Sequence, residues 1–209
     1  MKDDFLETLK RKFIENVNKK EVERKFLIKE VPDYLWNYDY IESEQYYITI
    51  NPQEIRVRKA NESFFLTFKS DGNLERSEVE ISITEMQFDE LKEFSKHQGV
   101  LKTRYFIKED GYTYELDIYK NIPELITLEV EFESTEDAHA FQPPEWFGDE
   151  ITNIPEFKNK NLSCFGFPRT LKCAQCKGVG HDEDNETCKT CEGKRRVDIS
   201  KVSFKDYHL

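Results

Sequence analysis

The sequence predicts an α+β fold: an antiparallel sheet of seven or eight strands, curled or closed, with its helices outside. Three observations predict it. Segment after segment alternates apolar and charged residues at a period of two, the repeat of a strand with two unlike faces. The turn signals Asp71-Gly72 and Asp110-Gly111 join neighbouring segments as hairpins, which forces antiparallel pairing. Helical periodicity is confined to short stretches between or after the strands.

Composition bounds the rest. Of 209 residues, 37% are hydrophobic and 13% aromatic, enough for a core built more from Phe and Tyr than from Leu. A net charge of -11 argues against general nucleic-acid binding, which needs a positive field. No apolar run approaches the ~18 residues of a membrane span, and the first residues, Met-Lys-Asp-Asp, open no signal sequence. The chain therefore reads as soluble and cytoplasmic, without a membrane partner. It divides into an N-terminal amphipathic helix (1–18), a main domain (19–170) and a cysteine-bearing appendage with a tail (171–209).

In chain order, Phe5, Leu6, Leu9, Phe13, Ile14 and Val17 recur at helical spacing over 3–18. The segment 21–28 then reads as a strand with Glu21, Glu23 and Lys25 on one face. Asp33-Tyr34-Leu35-Trp36 reads as a loop or short helix, 45–50 as a strand ended by Asn51-Pro52, and 54–59 as a strand with Arg56 and Arg58 together. In 63–69, Phe64, Leu66 and Phe68 oppose Lys69; in 75–82, Arg76, Glu78 and Glu80 oppose Val79 and Ile81. Thr84 with Gln87 forms a capping box, opening a helix whose buried stripe is expected at Met86, Phe88, Leu91 and Phe94. Strands at 100–108 and 112–119 carry Lys102, Arg104, Glu115 and Asp117. A last strand, 125–133, sets Glu129, Glu131 and Glu133 against Leu128, Val130 and Phe132. Ser134 caps a short helix to Phe141, Pro143-Pro144 marks a loop, and 159–164 reads as a final small helix.

A charged strand face is ordinarily a solvated one. Here the signs are segregated by strand, the period is strict, and the opposite faces are apolar enough to meet the helices. The charged faces then line a lumen. Several cations and carboxylates in low dielectric are sensible around a polyanion with a divalent ion between. Mg²⁺ or Mn²⁺ takes oxygen ligands from carboxylates and phosphates together.

The ordered series Glu21-x-Glu23-x-Lys25, Arg56-x-Arg58, Thr67-Phe68-Lys69, Arg76-x-Glu78-x-Glu80, Lys102-Thr103-Arg104-Tyr105, Glu115-Leu116-Asp117, Glu129-Val130-Glu131 and Phe157-Lys158-Asn159-x-x-Leu162 resembles the CYTH, or triphosphate tunnel metalloenzyme, superfamily over 19–168. The resemblance implies an antiparallel eight-stranded β-barrel tunnel holding a triphosphate lengthwise. It assigns Arg56, Arg58, Lys69, Arg76, Lys102 and Arg104 to phosphate, with Lys25 and Lys158 as helpers. Glu21, Glu23, Glu129 and Glu131 would hold Mg²⁺ or Mn²⁺, with Asp117 near the attacking water. Glu80, Glu115 and Glu133 are equally readable as rim charges, and Tyr105 as a packing residue. The implied reaction is hydrolysis of a triphosphate, foremost inorganic triphosphate, to pyrophosphate and phosphate. Alternatives within the resemblance are a class IV adenylate cyclase, a thiamine triphosphatase and an RNA 5′-triphosphatase, for which Tyr34, Trp36, Tyr38 and Tyr40 offer rings to stack on. An alternative of another kind is a non-catalytic polyphosphate-binding adaptor. Glu129→Gln is expected to abolish turnover while leaving the fold intact.

Cys173-x-x-Cys176-x-Gly178-x-Gly180 and Cys188-x-x-Cys191-x-Gly193 supply four thiolates on two tight turns, the donor set of a structural Zn²⁺. The spelling resembles the zinc region of DnaJ-type chaperones, with two units in place of four and the second glycine missing after Gly193. The appendage is expected to act as a staple or to grip a protein partner. Cys164 reads as a small buried residue.

Overall fold

The computed structural model describes residues 19–51, 53–70 and 74–207. The helix expected over 3–18 and the turn at Asp71-Gly72 lie outside the described residues. Eight strands close into one antiparallel barrel: β1 (Lys19–Leu27), β2 (Tyr40–Thr49), β3 (Glu54–Ala60), β4 (Ser63–Lys69), β5 (Glu75–Ile83), β6 (Val100–Glu109), β7 (Tyr112–Tyr119) and β8 (Ile126–Phe132). Around the barrel the order is β1-β5-β4-β3-β2-β6-β7-β8. Closure leaves no unpaired sheet edge. Hairpins make most of the neighbours, and β1 completes the ring by pairing with both β5 and β8. Asp110 (φ 51°) and Gly111 (φ 81°) turn β6 into β7 with two positive φ values in succession, which suits the strand twist.

Packing is uneven around the outside. Phe26, Ile28, Leu35, Tyr105, Ile107, Tyr114, Leu116, Leu128 and Val130 meet Phe141 and Phe147 over β6, β7, β8 and β1. The short helix α2 (Thr135–Ala140) is capped by Ser134, which accepts from the Asp137 amide. It is tied to β1 by Arg24, which donates to the carbonyls of Ala138 and Phe141 at 2.9 Å each and grips Glu150 with two bonds of 2.9 and 2.7 Å. The helix α1 (Glu85–Lys92) has the expected capping box. Its expected stripe is corrected in part: Phe88 is buried, against Tyr46 and Phe64, and Leu91 is half-buried, while Met86 and Phe94 are exposed. The helix ends at Lys92, before Phe94, and its two turns lie across a curved wall that Met86 does not reach.

One end of the barrel is plugged. The chain from Glu150 to the helix α3 (Asn159–Phe165) crosses it, and Ile151, Ile154, Phe157 and Leu162 pack with Tyr47, Val100, Tyr119, Ile122 and Leu125. After α3, a two-stranded ribbon of β9 (Thr170–Lys172) and β10 (Arg196–Asp198) carries the cysteine loops between its strands. Leu171 and the tail residues Ile199, Val202, Phe204 and Tyr207 pack on the plug core, so the appendage sits directly over the plug.

Candidate active site

Period-two alternation turns the charged faces inward. They surround a cavity of about 220 Å³ lined by Glu21, Glu23, Arg56, Arg58, Lys69, Lys102, Arg104, Glu129 and Glu131. Ile41, Ser43, Gln45, Glu78, Glu80, Phe106, Glu115 and Asn159 complete the wall. The barrel order sorts these by sign. β7, β8, β1 and β5 are adjacent and bring Glu115, Glu129, Glu131, Glu21, Glu23, Glu78 and Glu80; β4, β3, β2 and β6 are adjacent and bring Lys69, Arg56, Arg58, Lys102 and Arg104. Lys25 is the cation on the acidic side. The side chain of Arg76, expected on β5, is outside the described residues.

Ion pairs span the two seams between these halves. At the β4–β5 seam, the Lys69 ammonium meets Glu21 at 2.9 Å and also pairs with Glu78. Arg58 donates to both oxygens of Glu80 at 2.9 and 3.0 Å, and Thr67 donates to the same carboxylate. At the β6–β7 seam, Arg104 is shared by Glu115, Asp117 and Glu129. Burial alone would lower the Arg104 pKa, but these three carboxylates hold it well above its usual value. Lys102 pairs with Asp117; burial and the neighbouring Arg104 nevertheless push its pKa down to about 8.

β3 and β2 differ from the seams. Arg56 donates to Gln45 Oε1 at 3.3 Å and makes no ion pair among the described residues. The Nε groups of Arg56 and Arg58 and the Oγ of Ser43 are buried without a hydrogen-bond partner. Unmade bonds on buried donors cost about 1–3 kcal/mol each. The three residues line the cavity from adjacent strands, so these donors sit in a wall suited to an anion's oxygens.

Across the cavity, Glu23 lies opposite Glu131, and Glu129 opposite Glu115, on paired strands. Like charges directly opposite are destabilising. Burial, resisted by Arg104, raises the Glu115 pKa. Glu129 goes the other way: burial would raise it, but Lys25, Arg104 and Lys102 hold it well below the usual carboxylate range. Reciprocally, Glu129 overrides burial and holds Lys25 well above its usual value, across 3.0 Å. An all-oxygen donor set of this kind fits Mg²⁺ or Mn²⁺ in chemistry. To the expectation for Glu129→Gln this geometry adds a cost in stability, because Glu129 is the carboxylate on buried Lys25.

A smaller cavity of about 40 Å³ at the plugged end is lined by Lys25, Tyr47, Glu54, Arg56, Glu129, Thr152, Lys158 and Asn159, among others. Lys158 belongs here and not to the larger cavity. Tyr119 donates to Asn159 Oδ1 at 2.7 Å, and its oxygen lies 3.5 Å from Lys25 Nζ.

Other expected positions shift. Asp117 is fully buried beneath Lys102 and Arg104 and does not line the cavity, because two cations on the neighbouring strand close over it. Tyr34, Trp36 and Tyr40 lie exposed, Trp36 and Tyr40 against Tyr105 and Tyr34 against Tyr38, and none of the four rings lines either cavity. Ser43, Gln45 and Glu54 were not anticipated; their inward parity with Tyr47 and Arg56 was the available signal.

The sulfurs of Cys173, Cys176, Cys188 and Cys191 are buried and lie within 4.8 Å of one another, the one such group of three or more potential metal ligands among the described residues. Two sulfur pairs stand 3.9 and 3.6 Å apart, and the Gly180 amide points at Cys176 Sγ from 3.3 Å. Gly180 is at φ 91°, and a Cβ there would meet the Gly193 carbonyl oxygen at 2.9 Å. Cys164 is part-exposed, not buried as expected.

No family model matches the chain. It is 40% identical over 147 residues to an inorganic triphosphatase of Nitrosomonas europaea, covering 68% of this chain and 96% of that protein. It is 28% identical over 145 residues to an inorganic triphosphatase of Acetivibrio thermocellus, covering 68% and 92%. A crystal structure of an inorganic triphosphatase superposes with a TM-score of 0.53 at 38% identity, over 68% of this chain and 93% of that one. With a closed barrel of inward charges and that identity over nearly the whole length of the relative, the chain belongs to the inorganic triphosphatase family.

Proposed function

We propose that this chain hydrolyses inorganic triphosphate to pyrophosphate and phosphate within the barrel, with Mg²⁺ or Mn²⁺. The observation that carries the reading is the set of buried, unpartnered donors at Arg56, Arg58 and Ser43 facing a wall of carboxylates. A triphosphate lying across the cavity would satisfy these donors and take contacts from Lys69, Lys102 and Arg104, with Lys25 and Lys158 at the plugged end. Arg76 is proposed for the same role by its place in the motif. Glu21, Glu23, Glu129 and Glu131 would hold the divalent ion, with Glu115 beside them. When bound, that ion supplies Lewis acidity at a phosphoryl oxygen and lowers the pKa of a coordinated water.

The chain's own part is positioning and charge neutralisation, which is most of what phosphoryl transfer asks of a protein. Guanidiniums on β3 fix the anion's axis. Lys102 and Arg104 neutralise charge building on the departing group, and Asp117 sets those two cations from behind. Trp36 and Tyr40, the rings expected to stack on a nucleobase, lie exposed and away from both cavities, and the relatives named above act on inorganic triphosphate; both favour inorganic triphosphate over the cyclase and nucleotide readings. Carboxylates in such number favour catalysis over an adaptor that merely binds. We further assign 19–170 as the catalytic domain and 171–209 as an appendage seated on it through the plug core, and the four cysteines as a structural Zn²⁺ site.

The test is a substrate panel. Purified protein with Mg²⁺ or Mn²⁺ is given triphosphate, ATP, thiamine triphosphate or 5′-triphosphorylated RNA, and phosphate, pyrophosphate and cyclic AMP are measured. Preferential release of phosphate and pyrophosphate from triphosphate is expected, abolished by EDTA and restored by the ion. Cyclic AMP from ATP as the main product would overturn the reading.

A further inference from the structure

We infer that the cysteine module is a clamp on the barrel plug, and that Glu156 is the positioning residue through which it sets the lumen. The inference rests on the triphosphatase reading for its kinetic consequence and on the zinc reading for what holds the module together. Its geometry stands apart from both.

Glu156 sits in the 3-10 turn Pro155–Phe157, immediately before Lys158 and Asn159. Its Oε1 accepts from the Lys172 amide at 2.9 Å and from Arg196 Nη2 at 2.7 Å. Lys172 and Arg196 are directly paired on β9 and β10, the ribbon that holds the cysteine loops. The ribbon is locked to those loops next door, where the Cys173 amide donates to the Arg195 carbonyl at 3.0 Å. Arg196 is braced in turn by the Thr170 hydroxyl and carbonyl at 2.9 and 2.7 Å. One carboxylate oxygen thus ties the ribbon to the plug turn, beside the apolar packing of Leu171, Ile199 and Phe204. The other, Oε2, is buried without a hydrogen-bond partner among the described residues.

From the plug the contacts run inward. Three residues on from Glu156, Asn159 reaches the large cavity and accepts from Tyr119, whose oxygen lies beside Lys25, and Lys25 meets Glu129 at 3.0 Å. A slack turn at 155–157 would move Asn159 and leave Tyr119 and Lys25 less defined. Lys25 and Glu129 lie on β1 and β8, the acidic side proposed to hold the divalent ion and not the β3 side proposed to hold the anion, so the effect should fall on turnover more than on capture of the anion by β3. In this account the four thiolates hold the ribbon in register, and the ribbon holds the plug.

The test uses the full chain. Glu156→Ala, Glu156→Gln and Cys191→Ser are compared with wild type by metal content, by amide hydrogen exchange over 153–163, and by kcat and KM for triphosphate. Loss of a charge-assisted hydrogen bond should raise local opening about tenfold. Glu156→Ala is expected to keep its metal, to speed exchange over 153–163 about tenfold, and to lower kcat about tenfold with KM nearly unchanged. Glu156→Gln, which retains an acceptor, should fall between. Cys191→Ser should lose metal and reproduce the exchange change. Unchanged exchange over 153–163 in Glu156→Ala, with the barrel folded, overturns the clamp. So does Cys191→Ser losing its metal while the plug stays protected. Absence of zinc from wild type would refute the zinc reading alone, and absence of turnover the triphosphatase reading alone; the exchange result in Glu156→Ala then decides the clamp.

Discussion

Removing the Glu129 carboxylate should destabilise the barrel as well as silence it. Breaking a buried ion pair by removing one partner typically costs about 3–5 kcal/mol, since the other charge stays buried. Glu129 serves two cations, and they differ in what remains. Arg104 keeps Asp117 and Glu115, so its loss is small. Lys25 is 8% exposed and, among the described residues, its ammonium keeps the Tyr119 oxygen at 3.5 Å as its one hydrogen-bond partner. Glutamine at this site retains a neutral acceptor, which places Glu129→Gln at about 2–3 kcal/mol, at or just below the bottom of that range. For a chain of this size that is a fall in Tm of roughly 5–10 °C. Thermal unfolding followed by circular dichroism at pH 7 measures it. The double variant Lys25→Met/Glu129→Gln should recover part of the loss, because no unpaired charge is left. A Tm for Glu129→Gln within 1 °C of wild type would refute the claim that Glu129 holds Lys25 in place.

Three further outcomes follow from the same geometry. Arg56→Ala should weaken triphosphate binding about 10- to 100-fold, the worth of one or two charge-assisted bonds, while moving Tm little, since Arg56 makes no ion pair among the described residues; calorimetric titration and melting check both. Lys102 has a folded pKa of about 8, below its ordinary 10.5, so the cost of charging it is present below pH 8 and relieved as pH rises toward 10.5. A bound anion raises that pKa; binding therefore takes up a proton above pH 8, affinity for triphosphate falls as pH rises through 8, and Lys102→Arg should flatten that limb. Glu150→Gln should cost about 2–4 kcal/mol on melting, because it strips the paired carboxylate from Arg24, itself 9% exposed.

The period of two made most of the barrel legible before any coordinates. β7 falls on its expected residues, Tyr112–Tyr119, and the inward faces of β1, β3, β6 and β8 are those their charges announce. β2 was harder: its inward residues Ser43 and Gln45 are uncharged, so the strand was expected five residues short of its start at Tyr40. Parity could not tell a lining carboxylate from a covered one. Asp117 points inward like Glu115, yet Lys102 and Arg104 bury it, which depends on the neighbouring strand's register. Met86 and Phe94 have the spacing of a buried stripe, but α1 ends at Lys92 and rests on Phe88 with Leu91 half-buried beside it. Nor could spacing show that Leu171, Ile199 and Phe204 fold the appendage down onto the plug, a long-range contact with no periodic signature.

The central claim, that the anion lies inside the barrel against β3 and beneath the carboxylates, is tested most directly by a crystal structure with triphosphate and Mn²⁺. The account predicts phosphate density within hydrogen-bond reach of Arg56 and Arg58, with anomalous Mn²⁺ scattering beside Glu129 and Glu131. Triphosphate bound outside the barrel, with those guanidiniums untouched, would contradict it.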